Sequence, residues 1–89
     1  MAFLGFAPGF AYLAGIPREL SVPRRPQPRT RVPTGSIGLG AQFTGVYPRE
    51  SPGGWQLIGR TAVPMWDPSA EPAAFLLRGD RVRFVPVAP

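Results

Sequence analysis

Proline and glycine punctuate this chain so often that long regular helices are excluded: there are 13 prolines and 11 glycines in 89 residues. Proline removes a backbone donor and clashes with the preceding helical turn, and glycine costs about 1 kcal/mol in a helix interior. The residues between them are rich in β-branched and aromatic side chains, which suit short strands joined by many turns. The expected fold class is all-β, with six or seven strands. Pro17, followed by Arg-Glu-Leu, marks the one place for a helical turn, because proline tolerates the first helical position.

The densest local signal is Tyr47-Pro-Arg-Glu-Ser-Pro-Gly-Gly-Trp-Gln-Leu-Ile-Gly-Arg-Thr61. Pro52 suits the second position of a turn, and Gly53 and Gly54 can take positive φ without a Cβ clash, so a sharp turn is expected at Ser51 to Gly54. In the strand that follows, Trp55, Leu57 and Gly59 should face one side and Gln56, Ile58 and Arg60 the other. Two readings of this stretch stay open. Turn amides beside an aromatic and an arginine can hold an anion, whereas a plain hairpin with a core tryptophan needs no ligand.

Taken in order, Ala2 to Gly5 reads as a buried strand ending at the turn signal Pro8-Gly9, and Phe10 to Leu13 as a second extended run. Phe3, Phe6, Phe10 and Tyr12 offer a large aromatic surface suited to a core. From Val22 to Pro33 prolines alternate with arginines, which predicts extended or polyproline-like backbone and excludes a central strand. Arg29 and Arg31, two apart on such a backbone, should project to the same side, either to grip an anion or to sit solvated. Thr34 to Gly40 alternates like a half-buried strand, Gln42 to Tyr47 is its neighbour, and Gly45 marks a bulge or a close backbone approach. Further strands are expected at Thr61 to Trp66, on an edge because of Pro64, at Phe75 to Leu77, and at Arg81 to Val87 after a turn at Gly79-Asp80. Asp67 to Pro72 reads as loop.

A chain this short forms one domain at most, 1–89, and buries only about 60 to 65% of the surface it exposes when unfolded. Cysteine is absent, which suits a reducing compartment and points to the cytoplasm. The first 17 residues carry no charge but fall short of the ~20 apolar residues a membrane span needs, and glycine and proline interrupt them. Ten arginines against five carboxylates give a net charge of +5, which suits a polyanion or nucleotide phosphate, but arginine used everywhere in place of lysine points more to codon composition. The Val22 to Val32 stretch lacks aromatics interleaved with its arginines, so no specific nucleic-acid site is expected.

With no histidine, cysteine or lysine, the usual general bases, thiol nucleophile, Schiff-base amine and soft metal ligands are missing. No metal site is expected. Glu19, Glu50, Asp67, Glu71 and Asp80 are scattered, and only Glu50 stands beside the central stretch. The remaining chemistry is anion recognition. Its candidate residues are Arg29, Gln42, Tyr47, Ser51, Gly53, Gly54, Trp55 and Arg60, with Arg31 beside them, holding a substrate carboxylate or a nucleotide phosphate.

Four segments in fixed order carry a family resemblance: Gly5-Phe-Ala-Pro-Gly-Phe-Ala-Tyr-Leu13, Pro28-Arg-Thr-Arg-Val-Pro-Thr-Gly-Ser36, Ser51-Pro-Gly-Gly-Trp-Gln-Leu-Ile-Gly-Arg-Thr61 and Gly79-Asp-Arg-Val-Arg-Phe84. Together the chain resembles the bacterial subunit 1 proteins known as the 5-oxoprolinase B subunit, KipI and allophanate hydrolase subunit 1. Members of that family usually have a proline where Arg78 stands.

The resemblance implies a cyclophilin-like β-barrel with a carboxyltransferase-type domain, partly open because the chain looks like the C-terminal part of a longer member. An unpaired edge in such a fragment invites self-association. It further implies a non-autonomous subunit that acts with a subunit 2 partner, the C component of the same complex, and with ATP to open the lactam of 5-oxoproline. Two alternatives come with the same family. One is a KipI-type inhibitor of a sporulation histidine kinase; the other is the carboxyltransferase part of a urea carboxylase or allophanate hydrolase system.

Overall fold

The computed structural model describes residues 3–86. Seven short strands run through them: β1 (Phe3–Leu4), β2 (Ala11–Tyr12), β3 (Arg29–Val32), β4 (Ser36–Gly40), β5 (Phe43–Val46), β6 (Ser51–Gly53) and β7 (Gln56–Arg60). One 3-10 turn, Arg18–Leu20, follows Pro17 where the sequence predicted it. All pairings are antiparallel: β1 with β2, β3 with β6, and β4 between β5 and β7. Among the described residues these groups do not close into a ring, so the architecture is an open, partial β-barrel.

Aromatic packing explains how so short a chain holds a core. Phe10 is only 2% exposed and stands at the centre of the cluster. Its ring meets Tyr47 edge-on at 5.1 Å and Trp55 edge-on at 5.4 Å, with Tyr12 tilted at 5.2 Å. Edge-to-face pairs of this kind add about 0.5 to 1.5 kcal/mol each beyond the burial of their area. Val32 completes the cluster from β3.

Strand β4 is more deeply set than its alternation predicts. Ser36, Gly38, Leu39 and Gly40 are all buried, because β5 and β7 flank it and Trp55 lies against the glycine side. Thr44, buried on β5, donates its hydroxyl to the Gly38 carbonyl at 2.9 Å, which satisfies a polar group that would otherwise be costly to bury. Gly45 is the close approach foreseen from the sequence. A Cβ there would lie 3.0 Å from the Ala11 carbonyl oxygen and 3.2 Å from the Phe10 ring.

Several expected elements are different in the fold. Ser51 to Gly53 is strand β6 and not a tight turn, and neither Gly53 nor Gly54 is among the glycines with positive φ, which are Gly9, Gly15, Gly35 and Gly79. The chain instead reverses at Pro48 to Glu50, before β6, and bends again at Trp55. Pro52 is tolerated there because β6 pairs with β3 alone. No strand forms over Thr61 to Trp66. Pro64 cannot donate to a ladder, Met65 turns into the core while Val63 is exposed, and only Trp66 makes a bridge, to Ala74.

Phe75 to Leu77 and Arg81 to Pro86 also form no strand; Val87 lies outside the described residues. The turn between them is present. Gly79 has a φ of 91°, the Leu77 N–H donates to Asp80 Oδ2 at 2.8 Å, and the Asp80 N–H donates to the Leu77 carbonyl at 3.0 Å. Arg78 in place of the family's proline is therefore compatible with the turn.

Candidate functional site

Strands β3 and β6 form a two-stranded ribbon laid over the aromatic core, with Arg29 opposite Gly53 and Val32 opposite Ser51. Three steps along β3 match two along β6, so β3 carries a bulge. Its consequence is that Arg29, Thr30 and Arg31 are exposed in succession and only Val32 turns inward. The strict alternation expected to align Arg29 with Arg31 is broken. Arg31 instead reaches Glu50, Nε to Oε1 3.9 Å, a solvated pair of little energetic weight.

The proline-rich segment before β3 folds over the other end of the ribbon. The Arg25 N–H donates to the Gly54 carbonyl at 2.6 Å, and Gln56 Nε2 donates to the Pro23 carbonyl at 3.4 Å. Beside Gly54 stand the Cβ of Arg24, the Arg25 carbonyl and the Pro28 ring, each 3.8 Å from where a Gly54 side chain would begin. Arg24 and Arg25 are thus neighbours of Gly54 that motif reading left out. Their signal was the density of arginine in Val22 to Pro33.

Beneath the ribbon lies Tyr47, whose ring and hydroxyl fill the space under Gly53 so closely that any side chain at 53 would overlap them. Burial pushes the Tyr47 phenol above its ordinary value, opposed by a hydrogen bond with the Trp55 backbone and by the nearby Arg24 charge. Tyr47 and Trp55 spend their surfaces on the core, and the exposed polar chemistry of this region belongs to the arginines.

Six of the eight residues singled out from the sequence therefore come together: Arg29, Tyr47, Ser51, Gly53, Gly54 and Trp55. Gln42 and Arg60 are placed at opposite ends of β4. Gln42 follows Ala41, a non-glycine residue at φ 51°, and borders a cavity of about 350 Å³ with Ala14, Pro17, Arg18 and Ser21. Arg60 pairs with Ser36 and borders an open cleft of about 710 Å³ with Thr61, Val63 and Trp66. Arg18 is the charged residue that sequence reading missed at the first cavity.

Among the described residues no three histidine, cysteine, aspartate or glutamate side chains converge. No described helix is long and apolar enough to cross a membrane. What the ribbon offers is a row of exposed guanidinium groups above an aromatic base, with Glu50 in ion-pair contact with Arg31.

The described residues define an open β-scaffold that displays arginines on a ribbon above an aromatic core. Residues 1–76 match the family described as carboxyltransferase domain, subdomain C and D, and the chain belongs to that family. It is 55% identical over 84 residues to the 5-oxoprolinase B subunit of Escherichia coli O157:H7, covering 94% of this chain and 38% of the relative. The 5-oxoprolinase B subunit of Bacillus subtilis (strain 168) is 46% identical over 85 residues, covering 96% and 35%. The crystal structure of a conserved uncharacterized protein from Pyrococcus horikoshii superposes with a TM-score of 0.90 at 48% identity, over 97% of this chain and 40% of that one. The chain thus spans little more than a third of the curated relatives it matches.

Proposed function

We propose that this chain serves as the cyclophilin-like part of a 5-oxoprolinase B subunit, and that it acts with a subunit 2 partner, the C component, in ATP-dependent hydrolysis of the 5-oxoproline lactam. The observation that carries the reading is the 55% identity to the Escherichia coli O157:H7 protein across 94% of the chain. The inventory of side chains supports it as well. A chain with no histidine, cysteine or lysine has little with which to run catalysis alone, but ten arginines suit it to hold anionic groups.

ATP, when bound, would supply the phosphoryl group that turns a lactam oxygen into a leaving group. The donor set fits such a ligand: Arg29 on the ribbon, with Arg24 and Arg25 beside Gly54, presents cationic donors matched to phosphate or carboxylate oxygens. Their part is to bind and orient the anion and to offset charge as it develops, while Trp55 and Tyr47 hold the ribbon in place from below. Gln42 and Arg60 act at separate surfaces. The setting proposed is cytoplasmic.

The test is copurification of this chain with a homologue of the C component, followed by measurement of ATP hydrolysis with and without 5-oxoproline. Turnover that requires 5-oxoproline and both proteins supports the assignment. A stable complex that hydrolyses no ATP, or does so independently of 5-oxoproline, contradicts it.

A further inference from the structure

Neither backbone strain nor crowding requires a glycine at position 54. Its φ is not positive, and a side-chain carbon there would meet only ordinary van der Waals neighbours, the Arg24 Cβ, the Arg25 carbonyl oxygen and the Pro28 ring, each at 3.8 Å. Gly53 differs, because Tyr47 fills the space beneath it. What remains at Gly54 is the use of glycine that lets a ligand come close to the backbone. The room left by its missing side chain is bounded by arginine-bearing chain on two sides. Arg24 and Arg25 come from the segment before β3, and Arg29 stands on β3 opposite Gly53.

Residues 22–28 form a strap that is tied down on both sides of Arg24. The Arg25 N–H donates to the Gly54 carbonyl at 2.6 Å, and Gln56, on β7, donates Nε2 to the Pro23 carbonyl at 3.4 Å. Prolines at 23, 26 and 28 restrict the backbone of the strap, which lowers the entropy lost when a ligand fixes it. Burial raises the Tyr47 phenol and the Arg24 charge opposes it, which places that charge close to the underside of the ribbon. Five of the ten arginines, Arg24, Arg25, Arg29, Arg31 and Arg49, lie between residues 22 and 54 against one carboxylate, Glu50, and that one is engaged with Arg31. Among the described residues Arg24, Arg25 and Arg29 form no ion pair.

We propose that the strap and the β3–β6 ribbon together bind the diphosphate portion of a nucleotide over Gly54, with Arg24, Arg25 and Arg29 meeting its oxygens and Gln56 positioning the strap. The number of charges decides between the two anions that guanidinium groups suit here. A carboxylate carries one charge and about four lone-pair sites, which a single guanidinium fork already engages, and it would leave the other arginines repelling one another. A diphosphate spreads several charges over more oxygens and takes up all three guanidinium groups. The carboxylate of 5-oxoproline is accordingly held away from the ribbon.

This deepens the functional assignment above and rests on it for the role of a nucleotide, but its test is independent of turnover. Inorganic pyrophosphate, ADP, inorganic phosphate and 5-oxoproline are added in turn, at one ionic strength, to isotopically labelled chain while backbone amide shifts are followed. Pyrophosphate and ADP are expected to shift the amides of Arg24, Arg25, Arg29 and Gly54, and to bind about tenfold more tightly than phosphate or 5-oxoproline, the scale of two added exposed charge pairs. Arg24→Gln and Arg29→Gln should each weaken pyrophosphate about fivefold. Gly54→Ala, which fills the approach to the backbone, should weaken it about threefold while the thermal midpoint stays nearly unchanged. Gln56→Leu should do the same by releasing the strap, about a threefold loss of preorganisation that a merely structural glutamine would not produce.

Shifts confined to other strands, equal binding of pyrophosphate and 5-oxoproline, pyrophosphate binding that ADP does not share, or full affinity in Gly54→Ala and Arg24→Gln would each overturn the proposal. Pyrophosphate and ADP binding on the ribbon without 5-oxoproline-dependent turnover in the reconstituted pair would overturn the functional assignment and leave this one standing. Such turnover without binding on the ribbon would do the reverse.

Discussion

The indole of Trp55 lies against the backbone of Gly40, so close that a side-chain carbon at position 40 would overlap its Cε2 and Nε1 atoms. This contact lets β4 carry β5 on one side and β7 on the other while Trp55 remains in the core. Gly40→Ala is therefore expected to cost about 1 to 3 kcal/mol, the range for overpacking a tight interior. Gly59→Ala is the matched control, since its new carbon would meet only the Ile37 side chain at 3.7 Å. Urea unfolding of the two variants checks the difference; equal midpoints would show that Trp55 can move aside.

The same reasoning separates Gly53 from Gly54. At Gly53 a side chain would run into the Tyr47 ring, whereas Gly54 has ordinary van der Waals clearance and no positive φ. Gly53→Ala should destabilise the chain and Gly54→Ala should leave its thermal midpoint nearly unchanged. A larger loss at Gly54 than at Gly53 would contradict the placement of β6 over Tyr47.

Tyr47 makes a pH-dependent prediction. Burial raises its phenol above the ordinary value of 10.0, so above about that pH the unfolded chain loses the proton first and the folded chain retains it. Its contribution to stability is then fully present below pH 10.0 and is lost as pH rises through the folded value. Tyr47→Phe should remove this part of the alkaline decline. Guanidinium midpoints of the two proteins, measured from about pH 8 to pH 11, test it; parallel curves would mean that the phenol ionises as freely in the fold as outside it.

How far these features were legible in the sequence depends on whether local chemistry or tertiary partners decided them. Turns at Pro8-Gly9 and Gly79, the helical turn after Pro17 and the strands at Ser36–Gly40 and Phe43–Val46 all follow local rules, and sequence reading placed them. Ser51 to Gly53 did not. Pro-Gly-Gly is strong turn chemistry, but the ribbon with β3 and the ring of Tyr47 beneath Gly53 hold it extended, and the need for close approach explains the glycine better than freedom of φ. Arg81 to Pro86 has the alternation of a strand but pairs with no described strand, which periodicity alone does not report. The bulge between Arg29 and Val32 was likewise invisible, because an extra residue in a strand has no side-chain signature.

For the site, arginine was the legible signal and its neighbours were not. Arg29 is exposed on the ribbon, so Arg29→Ala should fold normally and lower partner-dependent ATP turnover by about 2 to 4 kcal/mol of transition-state stabilisation if it contacts developing charge. Gln42, at the far cavity, should show a smaller effect when changed to alanine. Steady-state rates of the reconstituted complex check both, and full activity in Arg29→Ala would move the site off the ribbon.

The most direct measurement grafts this sequence into a longer relative. The 84 matched residues would replace their counterparts in the 5-oxoprolinase B subunit of Escherichia coli O157:H7, and the chimera would be assayed with its partner for ATP hydrolysis dependent on 5-oxoproline. The predicted result is 5-oxoproline-dependent turnover comparable with the parent, diminished by Arg29→Ala. A folded chimera that binds the partner yet shows no such turnover would contradict the assignment.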